Sequence, residues 1–159
     1  SDAGGVALNI QDDGGAQTAF FRLQRSAADR DVRGVVIYPM LRGAQEVLLG
    51  LSRDPQFGPV VVCGLGGVYT EVWRDVVLRV APVDLVEASA MIQGLRSLPL
   101  LQGARGEPSS DLEALAALLA DFSQLPFRYP HISEADLNPV FVFPEGLLVG
   151  DVRIITRSV

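Results

Sequence analysis

The chain has 159 residues, 48% of them hydrophobic, and a formal net charge of −6. This length is enough to bury the core of one ordinary domain, and the hydrophobic content excludes a disordered protein. The acidic balance argues against a nucleic-acid-binding protein, and the apolar runs are too short to span a membrane. All thirteen basic residues are arginine, and the one cysteine, Cys63, excludes an internal disulfide and favours a cytoplasmic protein.

The beginning of the chain predicts a strand, a helix and a second strand. Apolar and polar residues alternate over residues 5–10, as they do in a half-buried strand. Asp12 or Asp13 is suited to cap a helix that continues to about Ala28. The apolar run 35–41 contains a proline, which cannot donate to a ladder, so it predicts a strand that ends there or lies at an edge.

The middle of the chain predicts three further strands, over residues 45–52, 59–63 and 76–80. In the first of them Glu46 lies on the face opposite Val47, because successive strand residues alternate between faces. Short connections between these strands indicate antiparallel pairing.

Two helices are each predicted by a capping box, in which a polar residue is followed three positions later by glutamate. Asp84 with Glu87 begins a helix that continues to about Leu95, and Ser110 with Glu113 begins one that ends near Leu125. Strands with helices laid on one side define an α+β fold, which we expect to form a single domain over residues 1–159.

Residues 134–151 predict an acidic β-hairpin. The segment 143–146 has proline second and glycine fourth, which is typical of a type I turn. Folding the chain there makes Asn138 and Asp151 cross-strand neighbours, with Cβ atoms roughly 5 Å apart. Asp136 shares the face of Asn138, because the two residues are two positions apart. A slip of one residue would move Asp151 to the opposite face.

Two carboxylates and an amide oxygen on one face suit a hard cation such as Mg²⁺. The same arrangement is typical of a solvated polar face at the end of a hairpin, and the residues alone leave both interpretations open.

Other polar groups also allow two interpretations. The glycine run 64–67 is suited to present N–H groups to phosphate, or to form a turn between strands. Arg53 and Arg105 lie in loops with glycine or proline, where arginines bind phosphate or are simply solvated. His131, the only histidine, is an acid/base or a surface residue, and Cys63 is most simply a small core residue.

The motifs occur in an order that is known from one family. They are residues 2–6 (DAGGV), Pro39-Met40 with Glu46-Val47, 53–59 (RDPQFGP), 64–67 (GLGG) with Glu71, 103–106 (GARG), 136–139 (DLNP) and Asp151. Together they resemble the ATP-grasp domain of NDP-forming acyl-CoA synthetases, the ADP-forming acetate–CoA ligases that are related to succinyl-CoA synthetase. The resemblance covers essentially the whole chain and implies an ATP-grasp subdomain with a mainly antiparallel sheet.

The resemblance also implies functions for individual residues. The segment 36–41 matches the hinge along adenine, Glu46 matches the position that holds the ribose hydroxyls, and the glycine run matches a loop near the phosphates. The implied residues for binding ATP or ADP are Tyr38, Met40, Leu41, Glu46, Gly64, Gly66 and Gly67. The implied catalytic residues are Arg53 and Glu71. The implied Mg²⁺ ligands are Asp136, Asn138 and Asp151.

The implied reaction converts acyl-CoA, ADP and phosphate reversibly into a carboxylic acid, CoA and ATP. The family carries the phosphoryl group on a histidine of another domain, and His131 does not match that histidine. This chain would transfer the phosphoryl group between that histidine and ADP, chiefly by positioning and charge neutralisation. Its implied partners are the nucleotide and the CoA-binding and ligase domains or subunits of the synthetase.

Two departures from the family affect what we expect of this chain. A His-Lys pair normally precedes the stretch at residues 1–5, and no lysine occurs in this sequence to replace it. We therefore expect the C-terminal part of an ATP-grasp domain, a fragment of a longer multidomain chain that does not turn over alone. The alternative functions are a ligand-sensing regulatory domain of a protein acetyltransferase and a scaffold that binds no nucleotide in isolation.

Overall fold

The computed structural model describes residues 5–27, 33–67 and 75–157. By its internal contacts the chain divides into two compact units, Ser1–Arg42 and Gly43–Val159. The prediction of a single domain stays a prediction. No helix in the described part of the chain is long and apolar enough to cross a membrane.

The first unit contains helix α1 (Asp13–Ser26). The Oδ1 atom of Asp12 accepts the N–H of Gly15 at 2.6 Å, so the predicted helix and its cap are confirmed. The predicted strands at residues 5–10 and 35–41 are wrong, because no strand is assigned to either segment. Alternation indicates which side chains would share a face, but a strand also needs the N–H and C=O groups of a partner.

The second unit is built on a six-stranded antiparallel sheet. Its strands are β1 (Gln45–Asp54), β2 (Gly58–Leu65), β3 (Val76–Val80), β4 (Ile132–Val142), β5 (Leu147–Val149) and β6 (Val152–Thr156). The order across the sheet is β3-β2-β1-β4, and both β5 and β6 pair with β4. The strands predicted in this part of the chain are therefore confirmed, with β1 two residues longer than predicted.

The described helices of this unit all lie between β3 and β4 in the chain. They are α2 (Leu85–Gln93), α3 (Leu98–Leu101), a 3₁₀ turn (Ala104–Gly106), α4 (Leu112–Ser123) and α5 (Leu125–Arg128). The capping box of Asp84 and Glu87 is present at the start of α2, as predicted.

The predicted cap of α4 is wrong by one residue. Asp111, and not Ser110, accepts the N–H of Ala114, at 2.9 Å. Ser110 is buried and its own N–H donates to the carbonyl of Leu101 at 2.8 Å, so the chain enters the helix one position later.

The core lies between these helices and one face of the sheet. Alternate residues of β1, among them Val47 and Leu49, are fully buried against helix residues such as Met91 and Leu115. Cys63 is also fully buried there, which confirms its assignment to the core. The predicted α+β fold with helices packed on one side is confirmed, and the described helices of the second unit leave the other face of its sheet uncovered.

Candidate functional site

The acidic hairpin has the predicted register. Val142 pairs with Leu147, and the N–H of Asn138 donates to the carbonyl of Asp151 at 3.2 Å. Asn138 and Asp151 are therefore cross-strand neighbours. The turn is closed by the Phe143 N–H, which donates to the carbonyl of Gly146 at 3.0 Å.

Asp136 and Asn138 of β4 lie on the face of the sheet that the helices of the second unit leave uncovered, which we call the open face. Leu137 is buried in the core, so its neighbours Asp136 and Asn138 point to the opposite side. In the register of the sheet, Asp136 pairs with Gly50 of β1 on one side and with Arg153 of β6 on the other. Because Gly50 has no side chain, a groove of about 210 Å³ opens beside Asp136.

Both paired strands are irregular next to Asn138 and Asp151. Leu137 and Val140 are both buried, although two residues separate them, and the pairing with β1 shifts at the same place. The partner strand is interrupted between β5 and β6 at Gly150, where a Cβ atom would lie 2.6 Å from the ring of Phe141. This close approach requires glycine.

The donor set of Asp136, Asn138 and Asp151 fits Mg²⁺. This ion takes oxygen ligands, needs only one or two carboxylates from the protein, and keeps waters or phosphate oxygens in its other positions. The Oδ1 atom of Asp151 accepts the N–H of Val152 at 2.9 Å, which restrains the carboxylate. Among the described residues, no group of three or more His, Cys, Asp or Glu side chains is gathered closely enough to hold a metal ion by itself.

Glu46 and the end of the glycine run are in contact on the neighbouring strands. The N–H of Gly66 donates to the Glu46 carbonyl at 2.6 Å. A Cβ atom on Gly66 would lie 3.0 Å from the carbonyl carbon of Glu46, and one on Gly67 would lie 3.2 Å from its carboxylate oxygen. Gly67 also has a φ of +71°, which favours glycine. Gly64, by contrast, is part of β2 and pairs with Leu48.

The remaining predicted nucleotide residues belong to the first unit. The side chain of Tyr38 is 79% exposed and that of Met40 is 49% exposed. Leu41 is half-buried. Glu71 lies outside the described residues.

Arg53 lies away from the acids. Its Nε donates to the carbonyl of Ile132 at 2.9 Å, and its Nη2 donates to the carbonyls of Pro126 and Pro130 at 2.9 and 3.2 Å. It shares the face of Leu51, which is buried, whereas Asp136 lies on the open face. A catalytic role for Arg53 stays a prediction, and these contacts favour a structural one.

Two carboxylates fix the loops around the sheet. The Oδ1 and Oδ2 atoms of Asp111 accept the N–H groups of Ala114 and of Gly146, and these bonds hold the pKa of Asp111 below its usual value. Asp111 thereby ties the turn of the acidic hairpin to helix α4. Burial raises the pKa of Asp75, but hydrogen bonds from Ser97 and the N–H of Arg96 outweigh it and leave that pKa lowered.

The sequence did not lead us to Arg153, or to the hydrogen bonds by which Asp111 joins helix α4 to the hairpin turn. Arg153 was detectable, because it follows Asp151 by two positions and therefore shares its face. The contact of Asp111 with Gly146 joins residues 35 positions apart, and no local pattern indicates it. His131 is exposed and its ring lies 6.2 Å from that of Tyr129, which is the geometry of a surface residue.

Comparisons with known proteins agree with this geometry. Residues 1–156 match the ATP-grasp domain family. The β subunit of ADP-forming acetate–CoA ligase I from Pyrococcus furiosus is 43% identical over 159 residues, which cover 98% of this chain and 68% of that protein.

Solved structures show the same fold. Acetyl-coenzyme A synthetase 1 of Ca. Korarchaeum cryptofilum, in complex with coenzyme A, Ca-AMPCP and HgCl⁺, has a TM-score of 0.88 and 37% identity, over 98% of this chain and 70% of that chain. A second structure of that synthetase contains coenzyme A and Mg-AMPPCP, with its phosphohistidine segment pointing towards the nucleotide binding site. It has a TM-score of 0.84 and 36% identity, over 98% of this chain and 70% of that chain.

The chain therefore belongs to the ATP-grasp domain family. Within that fold it is the ATP-grasp part of the ADP-forming acyl-CoA ligases, the family that its motifs predicted. The alternative of a regulatory domain of an acetyltransferase is not supported, because these relatives are ligases.

Proposed function

We propose that this chain binds Mg²⁺ with ADP or ATP and performs the phosphoryl-transfer half of an ADP-forming acyl-CoA synthetase. The phosphoryl group would pass between a phosphohistidine of another domain or subunit and ADP, coupled to conversion of acyl-CoA into carboxylate and CoA. The chain would act as a fragment of a longer multidomain protein whose CoA-binding and ligase parts are its partners. Its single buried cysteine is consistent with a cytoplasmic location.

The observation that carries this proposal is the pairing of Asn138 with Asp151 beside Asp136 on the open face of the sheet. These three side chains would hold Mg²⁺, which neutralises phosphate charge when it is bound. A related synthetase is solved with Mg-AMPPCP, which supports the binding of a magnesium nucleotide by this fold.

Other residues of the chain would orient the nucleotide. Glu46 would accept hydrogen bonds from the ribose hydroxyls, and its carboxylate lies close to Gly67. Gly66 allows the two backbones to approach closely at Glu46, which positions the backbone of that residue. Tyr38, Met40 and Leu41 would line the adenine. Glu71 stays a predicted catalytic residue.

Calorimetric titration of Mg·ADP into the full-length protein tests the proposal. Asp151→Ala should abolish the part of the binding that depends on Mg²⁺. Glu145→Ala is a matched control, because Glu145 lies in the turn of the same hairpin and is exposed. Mg²⁺-dependent binding that survives Asp151→Ala, or is lost equally in Glu145→Ala, would contradict the assignment of the metal site.

A further inference from the structure

We propose that Arg153 contacts the β- or γ-phosphate of the bound nucleotide, and that Glu134 holds its guanidinium over the groove until the nucleotide binds. The inference rests on the proposed nucleotide function and adds to it a phosphate-binding residue.

The position of Arg153 follows from the strand register. It pairs with Asp136, which in turn pairs with Gly50, so these three residues form one row across β6, β4 and β1. The side chain of Arg153 lines the groove beside Asp136, where Gly50 leaves space. Asp151 immediately precedes β6 and lies two residues before Arg153, a distance of roughly 7 Å at 3.4 Å per residue of extended chain. An extended arginine can span that distance.

The present contact of Arg153 is weak enough to be exchanged. Its Nη2 lies 3.8 Å from the Oε2 of Glu134, and the two side chains are 67% and 56% exposed. An exposed ion pair of this length contributes little to stability, because water screens it. A phosphate would offer two oxygens in the fork geometry that a guanidinium prefers. The ion pair therefore keeps the Arg153 guanidinium near the groove, and breaking it when phosphate binds costs little free energy.

The charge of the groove also favours a cationic side chain beside the phosphates, in addition to Mg²⁺. The groove is lined by Glu134 and Asp136, and the whole chain has no lysine. Phosphoryl transfer depends on positive groups that neutralise the phosphates. Among the described arginines, Arg153 is the one that lines the groove, whereas Arg53 donates to three carbonyls away from it.

The test compares the affinities of Mg·ATP and AMP for the full-length protein carrying Arg153→Gln, Arg153→Lys or Arg157→Gln. Arg157→Gln removes the same charge from the same end of the chain, but Arg157 donates to the carbonyl of Pro130. Losing a charge-assisted hydrogen bond to phosphate should weaken Mg·ATP binding about ten- to a hundredfold in Arg153→Gln. AMP, which lacks the β- and γ-phosphates, should bind within about threefold of the parent protein.

Arg153→Lys should restore part of the affinity for Mg·ATP, because it keeps the charge and loses the fork. Arg157→Gln should leave both affinities unchanged. The inference is overturned if Arg153→Gln binds Mg·ATP as tightly as the parent, if it weakens AMP equally, or if Arg157→Gln has the same effect. A parent protein that does not bind Mg·ATP would overturn the proposed function itself, and this inference with it.

Discussion

Replacing Gly66 with alanine should destabilise the second unit and displace Glu46. The added Cβ atom would lie 3.0 Å from the carbonyl carbon of Glu46 and 3.1 Å from its Cβ and carbonyl oxygen. Carbon atoms prefer separations of about 3.5–4.0 Å, so the two strands must separate by about half an ångström. The bond from the Gly66 N–H to the Glu46 carbonyl would lengthen as they separate. Overpacking of this kind costs about 1–3 kcal/mol.

Urea denaturation of Gly66→Ala measures this cost, and Gly50→Ala is the matched control. Gly50 also lies in the sheet, but a Cβ atom there would lie 3.7 Å from the Cβ of Val62, which is an ordinary contact. We expect Gly50→Ala to change the free energy of unfolding by less than about 1 kcal/mol. A Gly66→Ala protein with the midpoint and slope of the parent would refute the close-contact argument. Because Glu46 is the proposed ribose ligand, Gly66→Ala should also weaken nucleotide binding.

Arg53, two carboxylates and Cys63 support predictions about the same unit. Arg53→Lys keeps three donors but places them on one nitrogen, which does not reproduce the separate positions of Nε and Nη2. It should therefore lower the free energy of unfolding by about 1–3 kcal/mol in urea denaturation, and an unchanged midpoint would contradict the structural role. Asp75 and Asp111 have pKa values that are lower in the folded than in the unfolded chain. Their stabilisation is therefore complete above about pH 4 and is lost as the pH falls through the folded-state values. Asp75→Asn and Asp111→Asn should each lose less stability than the parent on acidification, and equal losses would sink this argument. Burial raises the pKa of the Cys63 thiol to about 12, so a thiol reagent should label it only after unfolding, and rapid labelling of the native protein would show that it is accessible.

Local signals in the sequence predicted local structure well. The capping box of Asp84 and Glu87 and the turn at residues 143–146 specify their own geometry, and the turn also sets the register that brings Asn138 to Asp151. The strands predicted at residues 5–10 and 35–41 failed, because alternation does not specify a pairing partner.

Contacts between distant residues account for most of what the sequence did not predict. The sequence predicted Arg53 in a loop, where it would bind phosphate or be solvated, but the structure places it in β1. Its guanidinium binds carbonyls that are more than 70 positions away in the chain, and no local pattern indicates them. Glu46 and Gly66 were each selected by resemblance, but only the fold shows that they touch. Arg153 was overlooked although alternation alone places it on the face of Asp151.

Contacts at the two ends of β4 hold its backbone, and its open face carries the proposed ligand residues. Arg53 binds the carbonyl of Ile132 at the first residue of the strand, and Asp111 binds the turn that follows its last residue. Both anchors leave the open face clear, where Asp136 and Asn138 lie. The anchors hold the backbone at both ends of β4 and contribute no group to that face, so they restrain the spacing of Asp136 and Asn138 and leave both side chains open to a ligand. A variant of either anchor should therefore disturb Mg²⁺ affinity through the spacing of the acids, whereas a variant of Arg153 should alter nucleotide affinity with the spacing intact.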